Sequence, residues 1–169
     1  MIKSSVNKWL NYQRKYQSIK VSIKSIASLK NWRLNDKELY HVSKKFFKII
    51  GIKIKTNFYK KNWDQPIIYQ KEVGFLGIIK NLNSNKYLLQ AKLEPGNINR
   101  IQISPSVQAT KSNYSKVHGG KSIPYLSLFK KKQNFFSLQS EQAFRYFNKL
   151  NSNIFVFTKK KIKIEKSFR

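Results

Sequence analysis

Polar and apolar positions along this chain follow two periods. Near the N-terminus Val6, Trp9, Leu10, Gln13 and Tyr16 fall at helical spacing, which predicts a helix with Ser4 and Ser5 capping its start. Ile19, Val21 and Ile23 then alternate with polar residues as a short extended piece, and Ser28 to Trp32 reads as a turn or brief helix. Ile50, Ile52 and Ile54 alternate with Gly51, Lys53 and Lys55, the pattern of a half-buried strand. Pro66 to Gln70 predicts another strand, with proline at its start where no ladder N–H is lost. Phe75–Ile79 and Tyr87–Lys92 flank the turn-rich run Asn81-Leu82-Asn83-Ser84-Asn85 and predict a hairpin. Arg100–Ile103 is a further strand. Leu138, Phe144, Phe147 and Leu150, with Gln139, Glu141 and Gln142 between them, predict an amphipathic helix, and Ile154–Phe157 a closing strand. With no short-period repeat and no linker-like stretch, the pattern reads as one α+β domain spanning residues 1–169.

Composition narrows the class. A chain of 169 residues has room for one proper core, and 40% hydrophobic with 14% aromatic residues are globular values. No apolar run approaches the roughly 20 residues that cross a bilayer, and Met1-Ile2-Lys3-Ser4-Ser5 leads into polar sequence without the apolar centre of a secretory signal. The absence of cysteine removes disulfides and thiolate metal sites and fits a reducing compartment. The expectation is a soluble cytoplasmic protein. A net charge of +28 by itself suggests nucleic-acid binding. The lysines, however, are spread along the whole chain and accompany abundant Asn, Ile, Phe and Tyr, a general drift of exposed positions. Runs such as Lys130-Lys131-Lys132 and Lys159-Lys160-Lys161 then read as solvated surface. Against that background the few acids stand out, Glu72, Glu94 and Glu141 lying in the least lysine-like stretches.

A long band between Gln90 and Gly120 is short of lysine and rich in small polar residues. Gln102, Gln108, Thr110 and Asn113 can donate and accept hydrogen bonds, which suits a hydroxyl-rich sugar or a nucleobase. The same composition also describes an ordered surface loop of Asx and Ser turns.

Longer strings carry a resemblance. Trp63-Asp64-Gln65-Pro66-Ile67-Ile68, Glu72-Val73-Gly74-Phe75-Leu76-Gly77, Gln90-Ala91-Lys92-Leu93-Glu94-Pro95-Gly96-Asn97 and Gln102-Ile103-Ser104-Pro105-Ser106-Val107-Gln108-Ala109-Thr110 follow in order. Ser112-Asn113-Tyr114-Ser115-Lys116-Val117-His118-Gly119-Gly120 and Leu138-Gln139-Ser140-Glu141-Gln142 complete the series, and His41-Val42-Ser43-Lys44-Lys45-Phe46-Phe47 with Gly51-Ile52 resembles its lead-in. Together they resemble the signature of the NDP-hexose 2,3-dehydratases. The resemblance implies a Nudix-hydrolase-like module, a mixed β-sheet flanked by helices, duplicated within each subunit of a homodimer. It implies a carbon–oxygen lyase of deoxysugar biosynthesis that removes water across C2 and C3 of a nucleoside-diphosphate 4-keto-6-deoxyhexose such as dTDP-4-keto-6-deoxyglucose, with no cofactor. A partner ketoreductase then reduces the 3,4-diketo product. The sequence matches one module, the first copy, so a homodimer or a second dehydratase module is expected to complete it. It departs from the usual pattern at Ala143 and at Lys149-Leu150-Asn151-Ser152-Asn153.

The chemistry needs a base for C3–H, an acid for the C2 hydroxyl and donors for the C4 oxygen. Candidates are Glu94, His118, Glu141 and Tyr114, with Glu94 and His118 foremost. Lys92, Arg100 and Lys111 flank the polar band and suit a diphosphate, while Trp63, Tyr114 or Tyr125 suit stacking on the base. Gln65, Glu72, Gln90, Asn97, Gln102, Ser104, Gln108, Thr110, Asn113 and Gln139 complete the expected substrate-binding set. Each has a structural alternative: Glu72 and Glu141 as partners of backbone N–H groups or a buried lysine, His118 as an exposed turn residue, His41 and the tryptophans as packing. Two other activities lack their residues. A Nudix pyrophosphatase needs several glutamates on one helix for Mg²⁺, and the expected helix at Leu138–Leu150 offers Glu141 alone; no Gly-rich phosphate loop follows a strand. A non-catalytic sugar-nucleotide-binding module and, on composition alone, a nucleic-acid-binding protein are the competing readings.

Overall fold

The computed structural model describes residues 2–110, 122–131 and 134–169. They form mixed sheets with few helices, in two compact units: residues 1–22, 75–137 and 152–169, and residues 23–74 and 138–151. Tyr114, His118, Lys111 and Asn113 lie outside the described residues.

The first unit opens with α1 (Ile2–Tyr16), which begins before Ser4 and Ser5 and so leaves them inside its first turn, not at its cap. Its half-buried stripe runs through Val6, Trp9 and Leu10 to the buried Gln13, and Arg14 and Lys15 in the last turn complement the helix dipole. Residues 17–25, where alternation suggests an extended piece, enter neither helix nor strand. The chain then supplies β1 (Trp32–Leu34), β2 (Glu38–His41), β3 (Lys48–Ile54) and β4 (Trp63–Tyr69), the core of the second unit. These pair antiparallel in sequence order, β3 and β4 in full register from Lys48↔Tyr69 to Ile54↔Trp63.

Sheet formation resumes in the first unit. β5 (Gly74–Asn81) and β6 (Lys86–Leu88) make the expected hairpin, Ile79 opposite Leu88. The Asn81 Oδ1 accepts from the Ser84 N–H at 3.0 Å, an Asx turn that fixes the reversal. The second arm is shorter than alternation suggests: from Gln90 the chain peels off as β7 (Gln90–Leu93), antiparallel to β8 (Ile101–Ser104). β9 (Val107–Thr110) follows and pairs with β5, burying Val107 and Ala109 and exposing Gln108. The described part of the polar band is therefore largely strand. A short helix, α2 (Leu126–Lys131), places Phe129 in a core with Ile79, Leu88, Val107, Ile154, Val156 and Phe168.

The segment 138–150 is not a helix. It contains the end of β10 (Phe135–Ser140), a single turn in which the Tyr146 N–H reaches the Gln142 carbonyl at 2.9 Å, β11 (Tyr146–Phe147) and the start of β12 (Leu150–Thr158). Helical spacing of Leu138, Phe144, Phe147 and Leu150 loses to ladder bonds: Ile68 donates to Arg145, β11 runs parallel to β4, and Asn148, at a left-handed φ of 51°, lies between β11 and β12. In the first unit Ser167–Arg169 zips onto Leu89–Ala91, with Leu89 and Arg169 exchanging backbone bonds at 2.9 and 3.0 Å. No helix among the described residues is long and apolar enough to cross a membrane.

Candidate functional site

The band in the first unit is tightly self-bonded. β7 and β8 are joined by a turn in which Asn97 Nδ2 donates to the carbonyls of Lys92 and Arg100, each at 3.2 Å, while Arg100 takes a left-handed φ of 63°. The Lys92 ammonium lies 2.9 Å from the Glu94 carboxylate. Asn97 thus shapes the turn, Lys92 and Glu94 pair with each other, and Arg100 is exposed. Gln90 and Ser104 are register partners, and the Ser104 hydroxyl donates to Gln108 Oε1 at 2.9 Å. Gln102 and Gln108 are exposed, and Thr110 is half-buried at the end of β9. Tyr125 is engaged at both ends: its hydroxyl donates to the Lys163 carbonyl and accepts from the Glu165 N–H, both at 2.9 Å, and its ring meets Phe168 edge-on at 4.9 Å.

The second unit gathers a different group. Trp63 Nε1 donates to Gln65 Oε1, and Gln65 Nε2 donates to the Phe144 carbonyl, each at 2.8 Å, which ties β4 to the turn before β11. Gln139 is exposed on β10. Next to it Glu141 is half-buried, its Oε2 accepting from Asn151 Nδ2 at 2.5 Å and its N–H bonded to the Lys149 carbonyl at 2.9 Å. Lys149 is only 5% exposed and donates its ammonium to the Glu72 carbonyl. Burial pushes the Lys149 pKa below its ordinary value, while the carboxylates of Glu72 and Glu141 pull partly the other way. Gly74 permits this arrangement: a β-carbon there would lie 2.0 Å from Asn151 Oδ1. The outcome is a carboxylate fixed by an amide beside a buried cation, a constellation able to hold or move a proton at Glu141 Oε2.

Glu72 also lines a cavity of about 420 Å³ bounded by β2, β3, the end of β4 and the turn after His41. His41 is built into that turn, its Nδ1 within 2.7 Å of the Ser43 hydroxyl and its ring edge-on to Trp32 and Phe46.

The profile of a protein family described as NDP-hexose 2,3-dehydratase matches residues 3–169. The chain belongs to that family. Among similar proteins, the dTDP-4-dehydro-6-deoxy-alpha-D-glucopyranose 2,3-dehydratase of Saccharopolyspora spinosa is 37% identical over 149 residues, covering 83% of this chain and 31% of the relative. Relatives of the same name from Streptomyces violaceoruber and Amycolatopsis orientalis are 41% and 35% identical over 139 and 167 residues. Those stretches cover 78% and 90% of this chain, and 31% and 36% of the relatives. The chain therefore spans about a third of the length of the 2,3-dehydratases it matches.

Of the residues expected from sequence, the second unit brings Glu72 and Glu141 together around Lys149, with Trp63 and Gln65 bonded to each other. The first unit assembles Gln90, Lys92, Glu94, Asn97, Arg100, Gln102, Ser104 and Gln108 on and between β7, β8 and β9. Lys149 and Asn151 stand out in the sequence only as part of a departure from the family pattern, not as site residues. The signal available was weak: one lysine among 35 basic residues, in a segment whose apolar spacing imitates a helix.

Proposed function

We propose that the chain is a sugar-nucleotide 2,3-dehydratase, or one module of it, eliminating water across C2 and C3 of an NDP-4-keto-6-deoxyhexose. The observation that carries this reading is the Glu141 carboxylate, clamped by Asn151 next to buried Lys149, in a chain whose family match runs from residue 3 to residue 169. The substrate class is taken from the names of the relatives, dTDP-4-dehydro-6-deoxy-glucopyranose dehydratases.

The chemistry is redox-neutral. The C4 ketone acidifies C3–H, a carboxylate or imidazole removes that proton, and the enolate charge collects on the C4 oxygen. An acid protonates the C2 hydroxyl, which leaves as water and forms a C2=C3 enol. The enol then ketonises, taking a proton at C2, to give the 2-deoxy-3,4-diketo sugar. Glu141, Glu94 and His118 are the proposed acid–base groups and Tyr114 the proposed donor. Gln102 and Gln108 are proposed for the sugar hydroxyls, and Arg100 and Lys111 for the diphosphate. In this reading the whole chain acts as a single Nudix-like domain, cytoplasmic, in a homodimer or beside a second module, and a ketoreductase consumes the product.

A non-catalytic binding module is the second reading, favoured by one observation: Glu94, an expected acid–base group, is ion-paired with Lys92. Incubation of the purified protein with the 4-keto sugar nucleotide separates the two. Conversion to a product lighter by one water, trapped by chemical reduction, supports the enzyme. Ligand that binds and is recovered unchanged leaves only the module.

A further inference from the structure

β3 and β4 keep full register up to Ile54↔Trp63 and are joined beyond it by a loop of residues 55–62. That loop is held by its own side chains. The Thr56 hydroxyl accepts from the Phe58 N–H at 3.0 Å, and Asn62 Oδ1 accepts from the Thr56 N–H at 3.2 Å across the turn. So held, the loop leaves Phe58 84% exposed and Tyr59 55% exposed. No other aromatic side chain among the described residues is as exposed as Phe58. An apolar ring kept in water is unfavourable, and a loop bonded so as to keep it there points to a partner that takes the ring up.

Charge says which partner. Lys53, Lys55, Lys60 and Lys61 flank the two rings in the chain, and all four are exposed. Four lysines in the ten residues 53–62 are about twice the density of the chain, which has 35 basic residues in 169, so the cluster exceeds the general drift toward lysine. The only acid between Lys53 and Gln65 is Asp64, the register partner of Lys53. Among the described residues no ion pair engages Lys55, Lys60 or Lys61. Exposed rings among cations fit a partner that is anionic outside and apolar just beneath, the interface of a bilayer with acidic headgroups. A second copy of this chain, at +28, is repelled from the same tip. Nucleic acid shares the charge but needs open ring faces on which its bases stack. Here the rings close on one another: Phe58 meets Tyr59 edge-on at 5.2 Å and 88°, and Tyr59 meets Trp63 at 5.8 Å and 75°. That arrangement is a wedge, not a stacking platform.

We propose that the β3–β4 tip is a peripheral docking point for an anionic lipid surface, with Phe58 and Tyr59 seated among the headgroups and Lys55, Lys60 and Lys61 on the lipid phosphates. Long lysine stems let the ammoniums stay at phosphate level while the rings go deeper. The tip lies at the far end of β3 and β4 from the Lys48↔Tyr69 pair, roughly 20 Å along the strands, so docking leaves the cavity lined by Tyr69 and Glu72 uncovered. Docking of this kind is independent of the reaction the chain carries out.

Sedimentation of the full chain with vesicles tests it, comparing pure phosphatidylcholine with phosphatidylcholine containing phosphatidylglycerol at fixed salt. The chain is expected to pellet with the anionic vesicles and to stay in solution with the neutral ones. Lys60→Gln/Lys61→Gln is expected to weaken binding about thirtyfold, about fivefold for each lysine near an anionic surface. Phe58→Ser/Tyr59→Ser is expected to weaken it at least about tenfold with the charge unchanged. Lys159→Gln/Lys160→Gln removes the same charge from exposed positions in the first unit and is expected to change binding less than about threefold. All these positions are exposed, and thermal melts check that folding is retained. Equal losses in the two lysine variants would reduce the tip to part of the general field of a basic protein and overturn the proposal. Undiminished binding by Phe58→Ser/Tyr59→Ser would overturn it as well, since no ring would then enter the interface. So would the absence of binding to anionic vesicles. A single-stranded oligonucleotide bound more tightly at the same salt, and lost with the same tip residues, would make the tip a nucleic-acid surface instead.

Discussion

The buried ammonium of Lys149 donates to the backbone carbonyl of Glu72, so the two residues lock the end of the loop before β5 to the start of β12. Lysine is rarely this buried without a partner, and here it sits within the field of two carboxylates, Glu72 and Glu141. Its partner being a carbonyl, the cation stays available to the electrostatics of Glu141.

Lys149→Met is expected to lower the unfolding free energy by about 1–3 kcal/mol, because the Glu72 carbonyl loses its donor while the aliphatic stem is replaced. The pH dependence has a definite sign. The folded pKa of Lys149 is lowered from 10.5, so between the folded and unfolded values the unfolded chain holds more protons and stability rises with pH. The gap between the original chain and Lys149→Met therefore widens as pH climbs toward 10.5. Urea unfolding of both proteins across that window measures it; a gap that narrows contradicts the assignment.

Gly74→Ala is expected to displace Asn151, whose Oδ1 would stand 2.0 Å from the new methyl group. The loss in stability should be about 1–3 kcal/mol, an overpacking effect. Because Asn151 holds Glu141, the dehydration proposed for this chain should fall more steeply than substrate affinity, a drop in kcat with KM little changed.

Ser106→Ala tests the first unit. The buried Ser106 hydroxyl accepts from the Ile79 N–H at 3.0 Å and donates to the Leu88 carbonyl, bridging the β5–β6 hairpin to the turn before β9. Alanine leaves both backbone groups unsatisfied in the core, and a loss of about 2–4 kcal/mol is expected from two orphaned groups. A thermal melt shifted by less than a degree or so would show that water replaces the hydroxyl at little cost.

Arg100→Gly separates stability from binding. Removing a side chain from a left-handed position is expected to raise stability by about 1 kcal/mol. It should also weaken the diphosphate contact proposed for Arg100, so a higher melting temperature and poorer sugar-nucleotide affinity are expected together.

Much of the β-structure was legible because strands advertise themselves by alternation: Ile50, Ile52 and Ile54 mark β3, and the asparagine run at 81–85 marks the β5–β6 reversal. Segment 138–150 misled because a turn of helix at Gln142–Tyr146 between two strands gives Phe144 and Phe147 helical spacing, and pairing with β4 is a long-range event that no local window contains. β2 escaped notice for the opposite reason: Glu38-Leu39-Tyr40-His41 is short, mixed in polarity and half-buried throughout. At the candidate site the acids were visible as exceptions in a basic chain. Their partners Lys149 and Asn151 were not, since burial alone distinguishes Lys149 from the exposed lysines at Lys159 and Lys160.

The most direct measurement is to run the reaction in D₂O with the NDP-4-keto-6-deoxyhexose and read the reduced product by NMR. Elimination followed by ketonisation gives a 2-deoxy sugar with one solvent-derived deuterium at C2 and with the original C3 hydrogen gone, and Glu141→Gln slows its appearance by at least about a hundredfold, the usual contribution of a general acid or base. Recovery of a sugar nucleotide that keeps its C2 hydroxyl and its C3 hydrogen, from a chain that demonstrably binds it, would contradict dehydration by this protein.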